Sequence, residues 1–105
     1  MTWTESQIQA VWDKGEMVEN FRPDKWRKDA CGAWISRDLY DRTDSDFGWQ
    51  ISRVVPAADG GGDDLENLRP LQWKNKASRH GGELTCPLTA FAGGNVDFTQ
   101  FRQRR

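Results

Sequence analysis

Apolar residues fall along this chain in short runs of changing period. After Thr4-Glu5-Ser6-Gln7, the residues Ile8, Val11 and Trp12 recur at helical spacing, which predicts an amphipathic helix near residues 5–14. Either Thr4 with Gln7 or Ser6 supplies the N-cap, and Gly15 is placed to end the helix. Phe21-Arg22-Pro23 followed by Asp24-Lys25-Trp26-Arg27 predicts a loop and a short helical turn with Pro23 near its start. From Ala33 to Tyr40 the alternation is loose, with Trp34, Ile35, Leu39 and Tyr40 apolar, and a short strand or extended segment is expected.

Asp41 to Asp46 is polar enough to be a loop. Phe47 to Val55 then reads as a strand with Trp49, Ile51 and Arg53 on one face, stopped by Pro56, which has no N–H for a sheet ladder. Ala57 to Asp64 contains Gly60-Gly61-Gly62, a turn that permits positive φ and close backbone approach. No Lys-Ser or Lys-Thr follows it, so a phosphate-binding loop of the GxxxxGK[ST] type is excluded. Leu65 to Arg69 is expected to be irregular or a single turn, and Pro70 suits the first position of a helix running to about Arg79, ended by Gly81-Gly82. From Glu83 onward Leu84, Leu88, Phe91, Val96, Phe98 and Phe101 show no clear period, and an irregular extension with one or two short elements is expected. No internal repeat is present.

At 105 residues the chain fits one domain, and so small a domain buries only roughly 60 to 65 per cent of its unfolded surface. Six tryptophans, five phenylalanines and one tyrosine supply a dense core, since each aromatic buries about 150 to 250 Å². Trp12, Trp26, Trp34, Trp49 and Trp73 are the expected core members. No apolar stretch approaches the roughly 20 residues that span a bilayer, and the N-terminus lacks the basic start and apolar run of a signal peptide. A cytoplasmic protein with no membrane partner is expected. Cys31 and Cys86 lie far apart without a CxxC partner, so two reduced, partly buried thiols are expected rather than a zinc knuckle or a disulfide.

The formal net charge of −1 argues against gripping nucleic acid by bulk electrostatics. Any basic surface must be local. The segment Lys74, Lys76, Arg79, His80 and the tail Arg102, Arg104, Arg105 are the two candidates.

The run Gly48-Trp49-Gln50-Ile51-Ser52-Arg53-Val54-Val55-Pro56, the turn Asp59 to Asp64, and Leu65-Glu66-Asn67-Leu68-Arg69-Pro70-Leu71-Gln72-Trp73-Lys74-Asn75-Lys76 together resemble the HNH endonuclease pattern GWxxDHxxP, a GG turn, xNLxPLxWxNN. Trp26 to Ala33 resembles the lead-in of small HNH proteins, and the likeness spans roughly residues 8–80. It implies an α+β fold with a ββα-metal core over about residues 29–80, in which a β-hairpin packs on a helix. An N-terminal helical scaffold (4–28) and an irregular C-terminal extension (83–105) complete one domain. In that family a divalent metal stabilises charge on the scissile phosphate while a histidine deprotonates water.

Carried over by position, Arg53 takes the place of the general-base histidine and Ser52 that of a metal-binding aspartate. Asn67 matches the asparagine that ties the loop, Gln72 is a further motif position, and Asn75 matches the last position, a metal ligand from the helix. Arginine stays protonated and offers no acceptor lone pair, so Arg53 cannot take a proton from water. Neutral Ser52 removes a charge that a hard cation wants, and a guanidinium beside the site repels that cation. No cofactor is therefore expected, with Asn75 the residual metal candidate. His80 is a poor substitute base, and Asp29, Asp59, Asp63 and Asp64 are expected in local hydrogen bonds more than in ligation. Arg53 is expected either to hold a phosphate or carboxylate bidentately or to pair with an aspartate such as Asp59.

The leading expectation is a catalytically degenerate HNH-like protein that acts by binding DNA or a protein partner, as regulator, decoy or inhibitor. A DNA-binding version uses Arg53, Lys74, Lys76 and Arg79. The alternatives are an active nuclease using Mg²⁺ or a similar ion through other ligands, and a structural or assembly protein of phage or mobile-element type.

Overall fold

The computed structural model describes residues 2–98. Its first helix, α1, runs Glu5–Trp12 and starts where local chemistry dictates: Thr4 Oγ1 accepts from the Gln7 N–H at 3.1 Å and Gln7 Oε1 from the Thr4 N–H at 2.9 Å. This reciprocal capping box settles the start on Thr4 rather than Ser6. Ile8, Val11 and Trp12 are buried on one face, and the chain leaves the helix at Asp13, with the Gly15 N–H donating to the Trp12 carbonyl.

Strands β1 (Trp26–Lys28) and β2 (Trp34–Ser36) pair antiparallel, and Arg37–Leu39 follows as a 3-10 turn. The expected helical turn at residues 24–27 is thus in part a strand, and the extended segment at 33–40 is strand over three residues only. Asp29 sits in the connection, 4% exposed. Its Oδ1 accepts from the N–H groups of Cys31 and Ala33, and its Oδ2 from the Gln72 N–H and the Asn75 amide.

Strand β3 (Trp49–Arg53) pairs antiparallel with β4 (Leu68–Gln72), Ile51 facing Pro70 and Ser52 facing Arg69. The helix expected from Pro70 is corrected here: residues 68–72 are strand, and the helix α2 covers only Trp73–Ala77. Pro70 is tolerated because β4 belongs to a two-stranded sheet. The Gln72 N–H, two residues on, points out of the ladder to Asp29; by the period of two, the Pro70 nitrogen points out as well and the ladder misses no donor. Helix α2 begins one residue after Gln72 because the extended Gln72 backbone lets its Oε1 accept from the N–H groups of Lys74 and Asn75.

Alternation divides the β3–β4 hairpin into two faces. Trp49, Ile51 and Leu68 meet Ile8, Val11, Trp12 and Ile35 in the main core, so α1 covers that side. Trp12 and Trp49 are fully buried with ring centroids 5.3 Å apart, whereas Trp26, Trp34 and Trp73 are half-buried. Among the described residues the result is an α+β arrangement of small antiparallel strand pairs and two short α-helices.

The C-terminal stretch is more regular than expected. Strands β5 (Leu88–Phe91) and β6 (Gly94–Asp97) form a hairpin, closed by Ala92 and Gly93, both at positive φ. It docks on the rest of the fold through Asn75 to Leu88, the Ala90 N–H to the Gly32 carbonyl, and Asn95 to the Trp34 backbone. Phe101, Arg102, Arg104 and Arg105 lie outside the described residues.

Cys31 and Cys86 form a disulfide across 55 residues of sequence, which corrects the expectation of two free thiols. The docking of β5 beside Gly32 brings the two sulfurs together, a juxtaposition that no local spacing encodes. Disulfides persist mainly in oxidising compartments, so the cross-link weighs against the cytoplasmic setting expected from the lack of a signal peptide. No helix among the described residues is long and apolar enough to cross a membrane.

A cross-link closing a loop of this length restricts the unfolded chain by about 4 kcal/mol on the chain-entropy account. Urea unfolding of Cys86→Ser, or of the wild type in reductant, is expected to show a loss of that order. An unchanged midpoint would mean that the disulfide contributes no stability.

Candidate anion-binding site

On the hairpin face turned away from Ile51, Ser52 is 1% exposed and its Oγ accepts from Arg79 Nη1 at 2.9 Å. The same Nη1 donates to the Arg53 carbonyl at 3.2 Å, and Arg79 Nε donates to the Lys76 carbonyl at 3.1 Å. Arg79, just past the end of α2, therefore staples the helix to β3. Arg53 at the end of β3 donates from Nε to Asp63 Oδ1 at 2.7 Å and lies 5.3 Å from the Trp3 ring. Its carboxylate partner is Asp63, not the expected Asp59.

Arg53, Lys76 and Arg79 line one cleft of about 290 Å³ with Trp3, Ile51, Pro56 and Ala57. Lys76 is half-buried and forms no ion pair among the described residues. Burial holds its pKa below that of an ordinary lysine, Arg79 and Arg53 push the same way, and Asp41 opposes them. Desolvation and like charge both disfavour the ammonium. An anion in the cleft relieves the second of these.

Of the four basic residues singled out from sequence, three meet here and one does not. The Lys74 ammonium lies 5.4 Å from the Trp73 ring and does not line the cleft. Arg69 is a cation that sequence reasoning missed. It faces Ser52 across the ladder, donates from Nη2 to the Gly82 carbonyl at 3.3 Å, and keeps a buried Nε without a partner. Burial and Arg79 draw its pKa below the usual arginine range. Reading Pro70 as a strand residue would have placed Arg69 on this face by alternation.

Asn67 ties the glycine turn: its Oδ1 accepts from the Val55 N–H, and its Nδ2 donates to the carbonyls of Val55 and Gly62. Gly61 is required there, since a Cβ would lie 1.7 Å from the Val55 carbonyl oxygen. The loop past β3 is thereby fixed beside Arg53.

Asn75 is elsewhere. It is fully buried; its Nδ2 donates to Asp29 Oδ2 and to the Leu88 carbonyl, and its Oδ1 accepts from the Leu88 N–H. Both its polar atoms are engaged with Asp29 and Leu88, on neither of the cleft's walls. Gln72, also fully buried, is occupied in capping α2. The His80 backbone pairs with Glu83 in an isolated bridge.

A divalent metal of the kind the HNH resemblance implies does not fit these residues. Ser52 offers a neutral hydroxyl already bonded to a guanidinium, and three cations line the adjoining cleft. Among the described residues no group of three or more His, Cys, Asp or Glu side chains comes together to hold an ion. No family model, no curated protein and no solved structure matches the chain.

Two outcomes test this geometry. Replacing Arg79 by alanine should raise the Lys76 pKa, leaving it short of the ordinary lysine range because burial remains; NMR titration of the lysine side chains reads this directly. Asn75→Ala leaves both backbone groups of Leu88 unpaired and should cost about 3 kcal/mol of unfolding free energy, equally in EDTA and in Mg²⁺. A loss confined to Mg²⁺ would instead make Asn75 a ligand.

Proposed function

We propose that the protein is a catalytically degenerate relative of the HNH nucleases that acts by binding DNA, gripping backbone phosphates in the cleft of Arg53, Lys76 and Arg79. The observation that carries this reading is the convergence of three cationic side chains on one cleft, with a single carboxylate, Asp63, paired to one of them. Bringing like charges together is costly, and a phosphate diester supplies the missing counter-charge. Arginine matches its oxygens in a planar fork.

The same residues argue against hydrolysis. A guanidinium at position 53 has no lone pair with which to take a proton from water, and losing a positioned base typically costs 10² to 10⁴ in rate. A net charge of −1 confines the attraction to this cleft, so binding is expected to be modest and strongly salt-dependent.

Fluorescence anisotropy with a short labelled duplex between 50 and 200 mM salt tests the reading. Three phosphate contacts predict a log–log slope of about −3, and Lys76→Ala should weaken binding and reduce the slope by about one. A flat response, or a variant indistinguishable from the wild type, sinks the DNA reading and leaves a protein partner. Supercoiled plasmid incubated in parallel with Mg²⁺, Mn²⁺, Ni²⁺ or Zn²⁺ should stay intact; nicking lost in Lys76→Ala would restore the nuclease reading.

A further inference from the structure

A second cavity, of about 230 Å³, is lined by Phe21, Trp26, Trp34, Phe47 and Gly93. Its walls are ring faces and edges. Trp26 meets Trp34 at 85° and Phe47 at 89°, with centroids 6.3 and 5.2 Å apart, and Phe21 leans on Trp34 at 4.8 Å. Phe21 is 48% exposed, so this cluster is open to solvent, unlike the Trp12–Trp49 pair in the core.

The backbone polar groups of Trp34 are already used. Both the N–H and the carbonyl of Trp34 are bonded to Asn95, whose amide also reaches the Asp46 carbonyl. A ligand here is met mainly by the ring faces and edges of the lining residues. Lys28 does not line the cavity but lies against one of its walls, its ammonium 4.9 Å from the Trp34 ring, and it forms no ion pair among the described residues. The volume lies below the roughly 300 to 1,000 Å³ of drug-sized pockets, which restricts the occupant to about one ring system. A cationic guest is opposed by Lys28, whereas a planar ring carrying a negative group satisfies the rings and the ammonium together.

We infer that this cavity takes one unpaired base of a nucleic-acid strand, stacked against Phe21 and Trp34, with Lys28 on the adjoining phosphate. The choice of a strand rests on the nucleic-acid reading above; the stacking site itself is separate from the Arg53–Lys76–Arg79 cleft and carries a preference that the cleft does not, for single-stranded over duplex DNA. Aromatic stacking is tolerant of base identity, so little sequence selectivity is expected.

The test is titration of the full chain with an eight-residue oligothymidylate, followed by tryptophan quenching and by anisotropy, beside the duplex measurement. The wild type should show quenching on binding. Phe21→Ala should bind the oligonucleotide about 5- to 150-fold more weakly, the range that one stacked base contributes, with duplex affinity unchanged. Phe21→Leu, which keeps an apolar side chain on the exposed site but removes the π-face, should weaken it too, and Lys28→Gln should lower both affinity and salt dependence. Oligonucleotide affinity equal to wild type in Phe21→Leu and Lys28→Gln, or binding without quenching, overturns the inference even if duplex binding holds. Quenching that is lost in Phe21→Ala supports it even if duplex binding fails and the cleft reading falls.

Discussion

The buried carboxylate of Asp29 is the constraint on which the rest of the fold depends. Taking a carboxylate out of water costs several kcal/mol unless its lone pairs are met, and here four donors meet them: two N–H groups from its own loop, one from the end of β4 and the Asn75 amide of α2. The most distant of those donors lies 46 residues along the chain from Asp29. Satisfying one charge therefore fixes the β1–β2 loop, the exit of β4 and the start of α2 relative to one another. Asn75 extends the chain of bonds to Leu88, and the C-terminal hairpin is set by the same network.

The cationic cleft is a consequence of that arrangement. With Asn75 turned inward to Asp29, the next residue on α2, Lys76, is turned toward the cleft, and Arg79 follows three residues later. The turn that ends α2 carries the Arg79 N–H back to the Lys76 carbonyl, and both side chains line the same cleft. Arg79 then uses Ser52 and the Arg53 carbonyl as acceptors. Serine at position 52 suits this role: its hydroxyl accepts from the guanidinium at no cost of a second buried charge. The guanidinium supplies a fixed positive charge between strand and helix, where the family resemblance leads one to look for an ion.

What could be read from sequence follows the range of the interactions concerned. The α1 start was narrowed to Thr4 or Ser6 because Thr4 and Gln7 can cap each other within one turn, and the β3 strand was legible because Trp49 and Ile51 alternate with Gln50 and Ser52. The glycine turn was legible from its own residues, whereas the loop-tying role of Asn67 came only with the family resemblance, although its bonds close within a dozen residues. Strand β4 was not, because a proline outweighs alternation unless it is known that its nitrogen faces away from the partner strand. The β5–β6 hairpin was hidden by Ala92, a residue type that seldom occupies a positive-φ position, although Gly93-Gly94 between two short runs was a usable signal. The Cys31–Cys86 pair, the engagement of Asn75 with Asp29, and the aromatic cavity assembled from Phe21, Trp26, Trp34 and Phe47 all rest on contacts between separate segments, which no local pattern specifies.

Departures from local rules are not spread evenly over the molecule. Arg69 Nε is buried without a partner, Lys76 is half-buried beside two guanidiniums, and Ser52 lies under Arg79; all three are at the junction of β3, β4 and α2. Desolvated cations without carboxylates work against folding, and Asp29, a short distance away, shows that this fold can satisfy a buried charge completely. Positive charge gathered at this junction, beside a negative charge satisfied in full, is the contrast on which the proposed anion-binding role rests.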